Sequence, residues 1–433
     1  MMKTKYFCTL LSLTACIPLF AQDFLSLQQC RQMALDYNQD LKAASHEIAA
    51  TKALHQSAKA DLYPKLSASG NASYTGNPRE FTWTKSETPW TIRGKHGQYG
   101  VGVTVEQPLY RGGKLKAQVR KSAVEQEKAQ LYAELTSSEV LLETDRVYWN
   151  FVASQELLQV AEQYFHTADS LTQTIEERVR ERLIDRSDLL MAEVKRNDAA
   201  YQLREARRNW EVARMTLASF IGRTDRESVR TDSVVTPLYR FMPEPMHTDS
   251  MVLARPEYNL ATRQIDLQTH QTKINRSQFL PQFSVGATGQ YSSPGYNFRP
   301  DMDPNYQVYA KLSVPVFEWG KRKHQHTADQ WRTETAREQA SKVRDQVLLE
   351  MQVTAHNQEE TVKQVALTEN SLDKARENSL LALDQYQEGL VSITEVLDAQ
   401  IYYLEARKNF VKSKYNAQIA RSEYLKACGN FSM

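Results

Sequence analysis

Residues 386–399 read YQEGLVSITEVLDA, a pattern typical of a tight turn between two helices. Gly389 can adopt the left-handed backbone conformation that ends a helix. Ser392, with Glu395 three positions later, forms a capping box that begins the next helix. The stretch therefore predicts the tip of a helical hairpin.

The same pattern occurs 207 positions earlier, in residues 179–192, which read VRERLIDRSDLLMA. Arg182 replaces the glycine, and Asp185 supplies a side-chain acceptor at the N-cap. The chain is therefore predicted to contain two tandem repeats. After each tip a small residue recurs every seventh position, which favours a helix lying close to a neighbour along one seam, although a plain coiled coil has a similar pattern. These residues are Ala192, Ala199, Ala206 and Ala213, and Ala399, Ala406, Ser413 and Ala420.

Residues 1–22 are predicted to be a secretory signal, because a lysine-bearing start precedes an apolar run and a small residue. Cleavage near Ala21 or Gln22 is favoured, and lipidation of Cys16 within LTAC is the alternative. Export would leave Cys30 and Cys428 in an oxidising compartment, either joined by a disulfide or as two thiols.

Charge argues against a nucleic-acid partner. The formal net charge of the whole chain is +2, and Lys3 and Lys5 of the signal account for it. The exported chain therefore has no basic field for nucleic acid. Beyond the signal, no apolar run approaches the roughly 20 residues of a membrane helix, so strands would have to cross any bilayer.

Two segments alternate between apolar and polar residues and predict β-hairpins over 65–107 and 282–314. Pro64, Pro108, Pro281 and Pro315 bracket them, and Pro108 is expected to end its strand. Strands of this length with one apolar face suit a membrane barrel or the cover of a soluble core. Four strands cannot close a barrel, so the membrane interpretation requires oligomerisation. The residues expected to face lipid include Val101, Val103, Val308 and Ala310, with Gly102 facing the lumen.

Each hairpin is followed by a polar run of about 68 residues without proline or glycine, which predicts a helix about 100 Å long. The predicted organisation is a first repeat over 23–222, a linker over 223–250 and a second repeat over 251–433. A short strand is predicted within the linker, at 228–237. The fold class is mainly α with membrane β, in the order helix, β-hairpin, long helix and helix, twice.

Catalytic and metal-binding motifs are not found. His324 and His326 are two positions apart on a predicted helix, so their side chains point to different faces. No enzyme activity, cofactor or metal is expected.

Taken in order, PLYRGGK at 108–114, PVFEWGK at 315–321 and EGLVSITEVLDAQ at 388–400 resemble motifs of the TolC family of outer-membrane efflux ducts. The resemblance covers essentially the whole exported chain. It implies a homotrimer with a 12-stranded β-barrel in outer-membrane lipid, continued by a periplasmic α-helical barrel with an equatorial belt. It also implies a periplasmic adaptor (membrane fusion protein) and an inner-membrane pump of the RND or ABC type.

The resemblance also implies roles for residues near the two tips. Tyr386 and Asp188 match a latch that closes the periplasmic entrance, but Val391 stands where the family has a further arginine of that latch. Glu395 and Asp398 match paired acidic positions, which a trimer would arrange as rings at the entrance. Solvated acids beside helix N-termini are the alternative for these residues. The expected adaptor contacts are Arg182, Leu183, Ile184, Gly389, Leu390 and Val391.

A second functional class remains open on the sequence. A periplasmic coiled-coil adaptor, or another structural helical-hairpin protein, would also contain long polar helices. Such adaptors usually have one central helical hairpin. This chain is predicted to have two helical hairpins and, in addition, four amphipathic strands.

Overall fold

The computed structural model describes residues 24–85, 87–224, 229–242, 248–295 and 301–431. The predicted signal, including Cys16 and the Ala21–Gln22 junction, lies outside these residues. Cys30 and Cys428 are both buried and are not joined by a disulfide. Burial raises the pKa of the Cys30 thiol to about 12.

The described part of the first half of the chain contains four helices. They are α1 (Leu27–Tyr37), α2 (Gln39–Ala60), α3 (Lys114–Arg180) and α4 (Arg186–Phe220). The single helical segment expected before the first hairpin is interrupted at Asn38. The Asn38 side chain accepts a hydrogen bond from the backbone N–H of Leu41 at 3.0 Å, so Asn38 caps a second helix.

The second half repeats three of these four helix lengths. Its described helices are α5 (Thr248–Ala254), α6 (Pro256–Ser277), α7 (Lys321–Gln387) and α8 (Ile393–Ala427). Helices α3 and α7 both have 67 residues, α4 and α8 both have 35, and α2 and α6 both have 22. At 1.5 Å per residue, α3 and α7 are about 100 Å long. None of the described helices combines the length and the apolarity needed to cross a membrane.

Six strands occur in the described residues: β1 (Lys65–Tyr74), β2 (Glu80–Trp83), β3 (Trp90–Arg93), β4 (Gly97–Arg111), β5 (Gln282–Ser293) and β6 (Asp303–Ser313). Four of them form one antiparallel sheet in the order β1-β4-β5-β6. The hairpins of the two halves therefore pair through β4 and β5, and β1 and β6 lie at the edges.

The register aligns the apolar residues of all four strands. Leu66 lies opposite Val105, which lies opposite Ala287, and Ala287 lies opposite Val308. Polar residues alternate with them, and the hydroxyls of Thr104 and Thr288 are 3.2 Å apart across β4 and β5. The prediction of one apolar and one polar face is confirmed, because alternate side chains of a strand point to opposite faces.

Two local predictions were wrong, and one feature of the first hairpin was not predicted. Pro108 does not end β4, because a bulge between Pro108 and Tyr110 lets the strand continue to Arg111. The loop of the first hairpin contains β2 and β3, which pair separately from the main sheet. The short strand expected at 228–237 is not formed by its described residues, 229–237.

Helices α3 and α8 are the central members of the helical layer. Helix α3 packs against α4 and α8, and α8 packs against α7. Nearer the sheet, α3 packs against α2 and α6, and α6 packs against α7. Six of the eight small residues at sevenfold spacing are buried, since they face these neighbours. Helices α4 and α7 are consequently the two edges of the layer.

The largest apolar cluster lies where α1, α3, α4 and α8 meet the linker, around Tyr148, Phe151, Val152, Leu217 and Val235. The backbone N–H of Val235 donates to Glu156 at 3.0 Å, so this part of the linker is tied to α3 without a strand ladder. Glu156 also accepts from the buried Lys414 at 2.6 Å. The linker, α3 and α8 are therefore held at one level of the molecule.

A second polar network joins α6, α7 and α8. The buried Arg255 donates to Glu257 at 2.8 Å, to Glu350 at 2.9 Å and to the carbonyl of Lys426 at 3.0 Å. Burial alone would raise the pKa of Glu257, but the hydrogen bond and charge of Arg255 outweigh it and hold that pKa below its ordinary value of 4.5. Glu257 thus stabilises the fold in its ionised form.

We expect this stabilisation to be present above pH 4.5 and to be lost as the pH falls through the lowered pKa of Glu257. Below pH 4.5 the melting temperature should therefore fall less steeply for Glu257→Gln than for the wild-type chain. Circular dichroism melts between pH 7 and pH 3 would measure this, with Glu377→Gln on the surface of α7 as control. Parallel curves for wild type and Glu257→Gln would contradict the assignment.

Candidate functional site at the helical tips

The two tips have the same backbone closure. Arg182 and Gly389 both lie in the left-handed region, with φ of 60° and 75°. The N–H of Leu183 donates to the carbonyl of Arg178, and the N–H of Leu390 donates to that of Gln385, both at 2.9 Å. These bonds are 207 positions apart, so the predicted turns are confirmed at both places.

The caps of the following helices differ. Ser392 accepts from the N–H of Glu395 at 3.4 Å and donates to the Glu395 carboxylate at 3.2 Å. Asp185 occupies the N-cap position of α4, but within the described chain its side chain makes no capping bond. The second tip is therefore capped by a side chain, and the first is not.

An apolar cluster, called the tip cluster below, joins the two tips within one protomer. The side chains of Ile184 and Val391 pack against it, whereas Leu183 and Leu390 are 67% and 69% exposed. The six residues predicted to contact an adaptor therefore do not form one surface, since two of them face inward. The buried members of the tip cluster are Leu171, Ile175, Ala192, Tyr386, Ile393, Val396 and Leu397.

Tyr386 is the polar member of the tip cluster and is 6% exposed. Its hydroxyl has no hydrogen-bond partner among the described residues, so the bond to Asp188 implied by the resemblance is not formed in the protomer. Burial raises the pKa of Tyr386, the positive charge of Arg178 lowers it, and the Asp188 carboxylate raises it. Asp188 is thus close enough to influence the hydroxyl without accepting its proton.

The structure adds Arg178 to the site, a residue that the sequence did not single out. Its guanidinium carbon lies 5.1 Å from the centre of the Tyr386 ring, and its Nη2 lies 3.5 Å from the carbonyl oxygen of Gln387. A sequence signal was available, because the second tip has no Lys or Arg between Arg376 and Arg407. An acidic tip without its own cation attracts one from elsewhere.

Glu395 and Asp398 lie in the first two turns of α8, and both are exposed. The residues between them, Val396 and Leu397, are buried in the tip cluster. The two carboxylates therefore point away from the cluster, on the side that is open in the protomer.

Metal chemistry has no candidate in the part of the chain that the structure describes. It contains no group of three or more His, Cys, Asp or Glu residues placed to hold a metal ion. His324 and His326 lie near the start of α7, on the side of the molecule nearest the sheet. The tips thus offer contact surfaces and charges.

These features agree with the comparisons to known proteins. The sequence profile of the outer membrane efflux protein family matches residues 30–223 and 253–430, and the chain belongs to this family. It is accordingly an outer-membrane efflux channel protein whose helices extend into the periplasm. Because the family profile matches both halves of the chain, the alternative of a periplasmic adaptor is excluded. No curated protein matches the chain at a significant level of sequence similarity.

Three solved structures illustrate the fold. The Campylobacter jejuni CmeC outer membrane channel has a TM-score of 0.80 at 18% identity, covering 93% of this chain and 85% of its own. The outer membrane protein VceC from Vibrio cholerae has a TM-score of 0.78 at 16% identity, covering 93% of this chain and 96% of its own. The open state of the Neisseria gonorrhoeae MtrE outer membrane channel has a TM-score of 0.76 at 17% identity, covering 93% of this chain and 88% of its own. The chain therefore has the fold of these channels.

Proposed function

We propose that three copies of the chain assemble into the exit duct of a tripartite efflux or secretion system. The duct passes substrates from a periplasmic adaptor and an inner-membrane pump of the RND or ABC type to the exterior. It performs no chemistry of its own and is not an enzyme. The observation that carries the proposal is a four-stranded sheet with one apolar face and two open edges.

A membrane can accept such a sheet only if the edges are closed. The edge strands β1 and β6 have no outer partner among the described strands, and lipid cannot satisfy their backbone groups. Barrels of fewer than about eight strands do not hold a lumen, so one copy cannot close on itself. Three copies supply 12 strands, each β6 pairing with the β1 of the next copy.

The flanks of these edges are apolar and uncovered. Beyond β6, Val316 and Trp319 are 92% and 88% exposed. Just before β1, Tyr63 is also exposed. The edge helices have exposed apolar side chains as well. These are Leu190, Met191, Val194 and Tyr201 on α4, and Leu349, Val353, Leu367 and Leu380 on α7. Contact between copies would bury both sets of edges together.

The adaptor is proposed to contact the exposed parts of both tips. We expect photocrosslinkers at Leu183 and Leu390 to capture a periplasmic adaptor, because both side chains project from the turns. Crosslinkers at Ile184 and Val391 should capture less, since these side chains pack inward. Mass spectrometry would identify the captured protein. Capture only from Tyr239 in the linker, and not from the tips, would contradict tip docking.

Glu395 and Asp398 are proposed to form two rings of three carboxylates at the periplasmic entrance, where like charges select and bind cations. We expect a trivalent cation added from the periplasmic side to block single-channel current. Replacing both residues with alanine should abolish the block, whereas Glu405→Ala, another exposed acid of α8, should not. Equal block in the double variant and the wild type would show that the two carboxylates are only solvated groups.

The gate itself is proposed to be the tip cluster, with Tyr386 on α7 as its polar member and Asp188 on α4 beside it. A duct that is open at rest would leak. The contacts that join the tips must therefore hold without the pump complex and separate within it.

A further inference from the structure

Arg178 is the cation that joins the two tips within one protomer. It lies in the last turn of α3, and its two contacts are both with the end of α7: the face of the Tyr386 ring and the carbonyl of Gln387. A guanidinium over an aromatic ring is an attractive arrangement, and it strengthens when the ring is buried. Tyr386 is buried, so this contact has a favourable setting.

The contact also offsets the electrostatic repulsion between two helix C-termini. Helices α3 and α7 both end at the tips, and the C-terminus of a helix carries partial negative charge on its free carbonyls. The last turn of α3 contains Arg178 and Arg180, whereas the last turn of α7 contains no basic residue. Arg178 therefore places positive charge beside the C-terminus of its own helix and beside that of α7.

Side-chain charge points in the same direction. The second tip has four acidic residues close to its turn and no basic residue. These four carboxylates repel the partial negative charge at the C-terminus of α3 unless a cation lies between them. The four acids are Asp384, Glu388, Glu395 and Asp398.

The packing around Arg178 leaves space beside the contact. A cavity of about 360 Å³ lies between α3, α7 and α8, and Arg178, Tyr386 and Gln400 line it. The Tyr386 hydroxyl is buried and makes no well-formed hydrogen bond within the described residues, which costs free energy that exposure to water would recover. The hydroxyl thus favours separation of the tips, and the contacts of Arg178 oppose it.

We propose that Arg178 is the positioning residue of the gate, holding the α7–α8 tip against α3 in the closed state through the ring of Tyr386 and the carbonyl of Gln387. The Tyr386 hydroxyl is not a latch. The inference rests on the proposed duct and adds the contact that keeps its entrance closed.

The test compares variants in two measurements. Single-channel recording in planar bilayers gives the open probability, which we expect to rise about tenfold in Arg178→Ala. Arg178→Lys should be intermediate, because it keeps the charge and loses the planar contact. Arg180→Ala, in the same turn of α3, should behave as wild type. Tyr386→Phe keeps the ring and removes the unpaired hydroxyl, so its open probability should not exceed that of the wild type. Equal melting temperatures would verify that the variants fold.

The second measurement does not need a conducting channel. Spin labels at Leu183→Cys and Leu390→Cys report the tip separation by pulsed electron paramagnetic resonance, in protein diluted with unlabelled chains. The distance should increase in Arg178→Ala and stay unchanged in Arg180→Ala. An unchanged distance in Arg178→Ala, an equal increase in Arg180→Ala, or opening by Tyr386→Phe would overturn the inference. If the wild type does not conduct but the tip distance still increases in Arg178→Ala, the proposed duct is wrong and the role of Arg178 stands.

Discussion

Replacing Asp145 with asparagine is expected to lower the free energy of unfolding by about 3 kcal/mol. Asp145 is fully buried in α3 and accepts hydrogen bonds from Nε and Nη2 of Arg31 at 2.7 and 2.6 Å. It also accepts from Ser422 of α8 at 2.5 Å. One carboxylate thus joins α1, α3 and α8, and its loss leaves a mostly buried guanidinium without its counter-charge.

Thermal unfolding followed by circular dichroism would measure the effect. Asp169→Asn is a matched control, because Asp169 also lies on α3 but is partly exposed and 3.8 Å from Arg196. Its cost should be below about 1 kcal/mol, as for other surface pairs. A double replacement, Arg31→Met with Asp145→Leu, should recover most of the lost stability, because two apolar groups need no counter-charge. Equal melting temperatures for Asp145→Asn and Asp169→Asn would contradict this account.

Replacing Val103 with arginine is expected to reduce assembly in the outer membrane, at a cost of about 2–4 kcal/mol near the bilayer midplane. Val103 lies in the middle of β4, opposite Ala68 and Gly289, on the apolar face of the sheet. An arginine there would place a charge in lipid. Heat-modifiable migration of the outer-membrane fraction would measure the folded share.

The control for Val103→Arg belongs on the polar face. Gly102 is unsuitable, because a Cβ atom there would lie 3.3 Å from the carbonyl oxygen of Gly289 and disturb the sheet itself. Ser69, opposite Gly102 on the exposed edge strand β1, has more room. Ser69→Arg should assemble normally. Equal loss in both variants would mean that the apolar face does not contact lipid.

The sequence predicted the features that depend on periodicity. Alternation over residues 66–74 specifies which face of β1 is apolar, and that pattern fixes the register against β4 because a shift by one residue would reverse the faces. Gly389 and Ser392 specify a turn through local backbone and capping preferences. These signals are contained within a few neighbouring residues.

The features that the sequence did not predict depend on contacts between distant residues. Arg178 and Tyr386 meet because two helices of 67 residues end at the same place. The inward packing of Ile184 and the exposure of Leu183 depend on the tip cluster, which both repeats build. The ion pair between Arg31 and Asp145 joins positions 114 residues apart. Local patterns do not specify which distant residues form such pairs.

The central claim, a duct closed by three copies, is tested most directly by native mass spectrometry of the outer-membrane protein released from detergent micelles. The open edges β1 and β6 predict a single species with three times the mass of one chain. Val103→Arg should give less of it. A monomer that keeps its full strand content by circular dichroism would contradict the account.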